Sequence, residues 1–144
     1  MGLDMYLRGN KYKCSKWELG AKDDDVVLVD GFERTSENLH IGQWRKHAVL
    51  HHLIVNTFAD GVDDCSPIPL NPADLLHIAK RLREKDFPPM EDCGGFFFGD
   101  EEWWQECCAN ADADADIFEK AANWITDDAY KGSFWHSVEY QASW

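Results

Sequence analysis

The apolar and polar positions divide the chain into alternating and helically periodic stretches. In Gly2–Leu7, Leu3, Met5 and Leu7 alternate with Asp4 and Tyr6, the period-two pattern of a half-buried strand. At the other end, Phe134, His136, Val138, Tyr140, Ala142 and Trp144 fall on one face, opposite Ser137, Glu139, Gln141 and Ser143. This predicts a second strand, tied into a sheet by a terminal apolar residue. The longest helically periodic run is His40–Gly61. There Ile41, Trp44, Ala48, His51, Val55 and Phe58 recur at spacings of three and four, and Leu50, Leu53 and Ile54 widen the stripe. The spacing predicts a central helix, with Asp60-Gly61 as its stop. Asn71-Pro72-Ala73-Asp74 reads as a helix start, followed by the buried stripe Leu75, Ile78, Ala79 and Leu82 and closed by Pro88-Pro89. A third helix is expected over Ile117–Ile125, with Ile117, Phe118, Ala121, Ala122 and Ile125 on one face.

The intervening segments read as connections. Gly9–Lys22 is polar and is expected to form a loop with short extended pieces, and Asp23–Asp25 a solvated charge run. Val26–Val29 reads as a short strand ended by the Asp30-Gly31 turn, after which Arg34–Leu39 leads into the central helix. Pro67 and Pro69 confine Ser66–Leu70 to an edge or extended segment. Gly94–Gly99, with three consecutive phenylalanines, suits a short, deeply placed strand. Asp100–Glu102 reads as a turn, Trp103–Glu106 as a returning strand or a helix start, and Ala109–Asp116 as a low-complexity run. Strands at both ends with helices between them predict a single α+β domain over residues 1–144, with a mainly antiparallel sheet and about three helices packed against it.

Composition sharpens this picture mainly through charge. The 144 residues are 44% hydrophobic and 13% aromatic, enough for a real core, and carry a net charge of −13. Residues 1–88 hold 12 Lys and Arg against 14 Asp and Glu, whereas residues 89–144 hold 2 against 13. The last 56 residues therefore carry −11 of the −13. Such a surface argues against direct nucleic-acid binding, which needs basic groups facing phosphates. It favours a basic protein partner. No apolar run approaches the roughly 20 residues that span a bilayer, and the N-terminus lacks a signal-peptide pattern. The five cysteines are irregularly spaced and read as free thiols in a reducing compartment. A cytoplasmic, non-membrane protein is expected.

Landmarks along the chain resemble a family of small uncharacterised proteins of phages, prophages and bacteria. They are the start Met1–Leu7, Trp44-Arg45-Lys46 with His51, Asp64-Cys65, Gly95–Gly99, and the ending Tyr140-Gln141-Ala142-Ser143-Trp144. The resemblance implies no particular activity. Some members carry kinase-like labels, but this sequence has no glycine-rich phosphate loop with its lysine. The phage association implies a protein that inhibits host machinery, such as an anti-CRISPR or other anti-defence factor.

Three sets of residues could carry chemistry. The first is a pocket around Trp44, Arg45, His51 and Cys65, in which His51 activates the Cys65 thiol as a nucleophile; the alternative is a hydrogen-bonded core histidine beside a small buried thiol. The second is a metal site at His47 and His51 with Cys93, Cys107, Cys108 or His136. With no Cys-x-x-Cys and no His-Glu-x-x-His in the chain, neither a metal nor another cofactor is expected. The third is an acidic surface of Glu101, Glu102, Glu106, Asp112, Asp114, Asp116, Asp127 and Asp128. It would mimic nucleic-acid phosphates and occupy a basic surface, such as that of a host nucleic-acid-binding protein; the alternative is a solvated, solubilising face. The leading expectation is a non-enzymatic acidic binding protein, and the second a small enzyme or ligand-binding protein using the His51 pocket.

Overall fold

The N-terminal alternation lies in the middle of the sheet. The computed structural model describes residues 2–13, 28–93, 100–128 and 134–144. Strand β1 (Asp4–Lys13) pairs antiparallel with both β4 (Ser36–Arg45) and β6 (Phe134–Ser143). The short β5 (Ile68–Leu70) adds to the far side of β6, giving the order β4-β1-β6-β5. Opposed residues share a face. Met5 with Ala142, Leu7 with Tyr140, and Tyr140 in turn with Ile68 therefore form one continuous buried surface. A separate two-stranded hairpin, β2 (Leu28–Val29) and β3 (Phe32–Glu33), turns through Asp30 and Gly31, both at positive φ as the sequence requires.

Helices α1 (Ala48–Phe58), α2 (Pro72–Arg83), α4 (Glu101–Ala109) and α5 (Ala111–Asp128), with the four-residue α3 (Met90–Cys93), complete an α+β fold. The core joins Leu3, Met5 and Leu7 of the sheet region to Leu50, Leu53 and Ile54 of α1, Leu75 and Ile78 of α2, and Phe118 and Ala122 of α5. Helix α2 begins as its sequence dictates. The Asn71 side chain accepts from the Asp74 N–H at 2.8 Å while Asp74 accepts from the Asn71 N–H at 3.0 Å, a reciprocal cap that satisfies two otherwise orphaned donors. Among the described residues, no helix is long and apolar enough to cross a membrane.

Several expectations need correction. The central helix starts at Ala48; Ser36–Arg45, including Ile41 and Trp44, is strand. The register of β1 with β4 shifts between Leu7 and Arg8, which leaves Ile41 as an extra residue on β4. This bulge stretches the strand's period, so Ile41 and Trp44 stand three apart, as on a helix. Lys46, at φ 54°, then turns the chain into α1. Of the expected loop Gly9–Lys22, Gly9–Lys13 instead continue β1, because partners on both sides hold the backbone as far as Tyr12; residues 14–22 lie outside the described residues. Asp100 is the N-cap of α4, accepting from the Trp103 N–H at 3.1 Å, and Trp103–Glu106 is helical. The Ala-Asp run lies inside α5. Trp144 is 45% exposed rather than buried. The expected strand Gly94–Gly99, the charge run Asp23–Asp25 and the residues Val26-Val27 lie outside the described residues.

Gly42 tests the packing of β4. A Cβ there would sit 2.7 Å from the Trp44 ring and 3.3 Å from Ile117 Cγ2, and the ring is held by stacking on Phe118 at 5.6 Å. Gly42→Ala is expected to destabilise the protein by about 1–3 kcal/mol in urea unfolding, with an unchanged m-value.

Candidate functional site

Helix α1 presents His51 to the sheet and to the loop that follows the helix. The ring is buried at 1% exposure. Its Nε2 lies 2.9 Å from Asp63 Oδ2 and its Nδ1 2.7 Å from the Tyr140 hydroxyl. An ionised carboxylate only accepts, so Nε2 donates to Asp63, and in the neutral imidazole Nδ1 then accepts from the Tyr140 O–H. Burial first, and then the charges of Asp63 and Cys65, push the Tyr140 phenol well above its ordinary value, which keeps that donor in place. The network runs on: Asp63 Oδ1 accepts from the Trp144 indole N–H at 3.1 Å. Alongside it, Gln141 donates to the Cys65 carbonyl at 3.1 Å and accepts from Arg8 at 2.9 Å.

Above this network is a pocket of about 240 Å³. Val55, Phe58, Ile68 and Ala142 give it apolar walls, and Asp63, Asp64 and Cys65 its polar end. The loop holding that end is bent sharply, with Asp60, Gly61 and Cys65 all at positive φ. For a non-glycine residue this conformation costs about 1–2 kcal/mol, and such strain concentrates where loops are shaped for a task. Asp64 accepts from the Ser66 N–H at 3.0 Å. Hydrogen bonds from the Ser66 side chain and backbone hold its carboxyl below the usual range, so this end of the pocket carries negative charge.

The structure thus brings His51 and Cys65 to one pocket, as the sequence reading required, but not in the roles it offered. Both ring nitrogens of His51 are engaged by oxygen partners, so neither is left to take the Cys65 proton. Trp44 and Arg45 belong elsewhere. They line a second cavity of about 250 Å³ with His47, Trp103, Glu106, Cys107, Asn110 and Asp114. Asp63 and Tyr140, which complete the His51 site, were not singled out by sequence reasoning. Asp63 follows the predicted helix stop by only a few residues, and Tyr140 sits on the predicted buried face of the last strand; these were the available signals. Among the described residues, no group of three His, Cys, Asp or Glu side chains could hold a metal ion.

The acidic residues do not form one surface. Asp114 is buried at 6% exposure. It accepts from His47 Nε2 at 2.7 Å and from the Trp44 indole at 2.9 Å, and so is withdrawn from the outer surface that a protein partner would meet. Helix geometry explains this. At about 100° per residue, Asp112 and Asp116 point the same way and Asp114 points opposite. Asp116 and Glu119 grip Arg83 of α2, Glu119 from 2.8 Å, and Lys85 lies 3.3 Å from Asp112. Those bonds raise the Arg83 pKa and lower that of Glu119. Glu101, Glu102 and Glu106 are exposed on α4, and no ion pair among the described residues involves them. The side chains of Asp127 and Asp128 lie outside the described part of α5.

Tyr140→Phe is expected to strand His51 Nδ1 without a donor and to cost about 1–3 kcal/mol in urea unfolding at pH 7. The same variant checks the alkaline limb. The folded phenol holds its proton beyond the ordinary value of 10.0. The unfolded chain therefore ionises first, and stability is lost as pH rises above 10; in the variant that part of the decline is expected to be absent. No protein-family model matches the chain, and neither a curated protein nor a solved structure matches it.

Proposed function

We propose that this protein is a ligand-binding protein, and that its site is the pocket between the end of α1, the Asp63–Pro69 loop and β6. The observation that carries this reading is the Tyr140–His51–Asp63 chain, which runs from two buried rings to a partly exposed carboxylate beneath an open cavity. Two polar rings are desolvated there, and their combined effect is to fix one carboxylate at the polar end of an apolar pocket. A buried polar network of this kind stabilises little compared with apolar packing but determines orientation. The sequence landmarks support the reading: His51, Asp64-Cys65 and the Tyr140–Trp144 ending converge on this pocket or on Asp63. The ligand class follows from the walls. An apolar body fits Val55, Phe58, Ile68 and Ala142, and a positively charged or hydrogen-bond-donating head fits the spare lone pairs of Asp63 and the ionised Asp64.

Cys65 supplies the test, because it lines the pocket and is partly exposed. Alkylation of Cys65 by iodoacetamide, followed by peptide mass spectrometry, is expected to slow severalfold in millimolar hexylamine and much less in hexan-1-ol. A Cys65 rate indifferent to both would end the proposal.

A second reading rests on the net charge of −13 and the exposed carboxylates of α4. On that reading Glu101, Glu102 and Glu106 meet a basic protein, such as a nucleic-acid-binding protein of a bacterial host, and the protein acts as an anti-defence inhibitor in its cytoplasm. Charge of this kind acts mainly on association rate. Capture of a specific basic partner from lysate, lost when Glu101 and Glu102 are changed to Gln, is the expected result; unchanged capture by that variant would exclude α4.

A further inference from the structure

The cavity beside α4 differs in kind from the His51 pocket and stands independently of the proposal made for it. Its walls include two indoles, Trp44 and Trp103, and two carboxylates, Glu106 and Asp114. The indoles are fixed. Trp44 stacks on Phe118 with an interplanar angle of 13° and donates to Asp114. Trp103 donates to the Lys46 carbonyl. Asp114 is the unusual member. His47 Nδ1 accepts from the Leu50 N–H at 3.3 Å, so the imidazole is neutral and gives Asp114 only its Nε2 proton. Among the described residues, the hydrogen-bond partners of this buried carboxylate are therefore two neutral donors, which solvate its negative charge without cancelling it. A buried charge without a counter-charge is expensive.

The field of these carboxylates registers on the neighbouring thiol. Burial first, then the adjacent Cys108, then Asp114 and Glu106 push Cys107 up to about 12. The nearest basic side chain on the lining, Arg45, stands at the rim. Its side chain is 63% exposed, and it leans 3.9 Å from Asp4 across the β1–β4 ladder.

We infer that this cavity is a binding site for a small alkylammonium cation, held between the Trp44 and Trp103 rings with Glu106 and Asp114 as its counter-charges. Aromatic faces attract a cation electrostatically, and the attraction grows as the cation is desolvated. A primary or quaternary ammonium brings positive charge to a buried carboxylate whose described partners are neutral, and its alkyl groups fill space beside the indoles. The polar floor is already hydrogen-bonded internally, so recognition rests on charge and ring faces rather than on directed hydrogen bonds. That favours a methylated ammonium over a strongly hydrated inorganic ion.

The experiment uses the full chain and two isosteric probes, choline and its neutral analogue 3,3-dimethylbutan-1-ol. Binding is followed through the indole N–H resonances in two-dimensional NMR spectra. Choline is expected to give saturable shifts at Trp44 and Trp103, and the neutral analogue none. Asp114→Asn risks the fold, so the decisive variant is Glu106→Gln, on an exposed helix position. It is expected to weaken choline binding about threefold or more while leaving the Cys65 protection assay unchanged. Equal binding of the neutral probe, absence of saturable shifts with choline, or an affinity untouched by Glu106→Gln would each overturn the assignment.

Discussion

The bond between His47 and Asp114 joins three parts of the chain that are far apart in sequence. Asp114 comes from α5, His47 caps α1, and the second oxygen of Asp114 holds the Trp44 ring of β4. A neutral imidazole accepting from its own helix and donating to a carboxylate fixes both its tautomer and the angle at which α1 leaves the sheet. Once α1 is set, His51 lies one turn further along and meets Tyr140 and Asp63. Each histidine therefore holds a carboxylate from a different segment. The two cavities described above lie against these two carboxylates.

Charge is distributed by the same logic. The strongly acidic last third does not present a uniform surface, because part of it is used internally. Arg83 gathers Asp116 and Glu119, and Lys85 approaches Asp112, which fastens α2 to α5. These exposed pairs are individually weak, but they engage acidic residues of α5, whereas those of α4 face solvent with no ion pair among the described residues.

Much of this was legible in the sequence, for identifiable reasons. The last strand and α2 were readable because their apolar periods are clean, and because Asn71-Pro72 announces a helix start. The central helix was misplaced at its beginning because a β-bulge at Ile41 mimics helical spacing and no glycine or proline marks the turn at Lys46. The extension of β1 through Arg8–Lys13 was invisible to hydrophobicity, since ladder bonds rather than burial hold it. Of the candidate pocket, His51 and Cys65 were found by residue type. Asp63 and Tyr140 were not, because the contact that recruits them depends on how α1 faces β6.

The Ala-Asp repeat of α5 has a further consequence, for how this gene can change. Because the helix advances about 100° per residue, gaining or losing one Ala-Asp pair rotates everything after it by about 200° relative to everything before. The three aspartates look interchangeable on paper, yet only one of them faces His47. Such a change would keep the residue types of the repeat and the helix, shift the net charge by only one, and turn Phe118 out of the core. The repeat is therefore a place where a sequence change that looks conservative would be among the most disruptive in the chain.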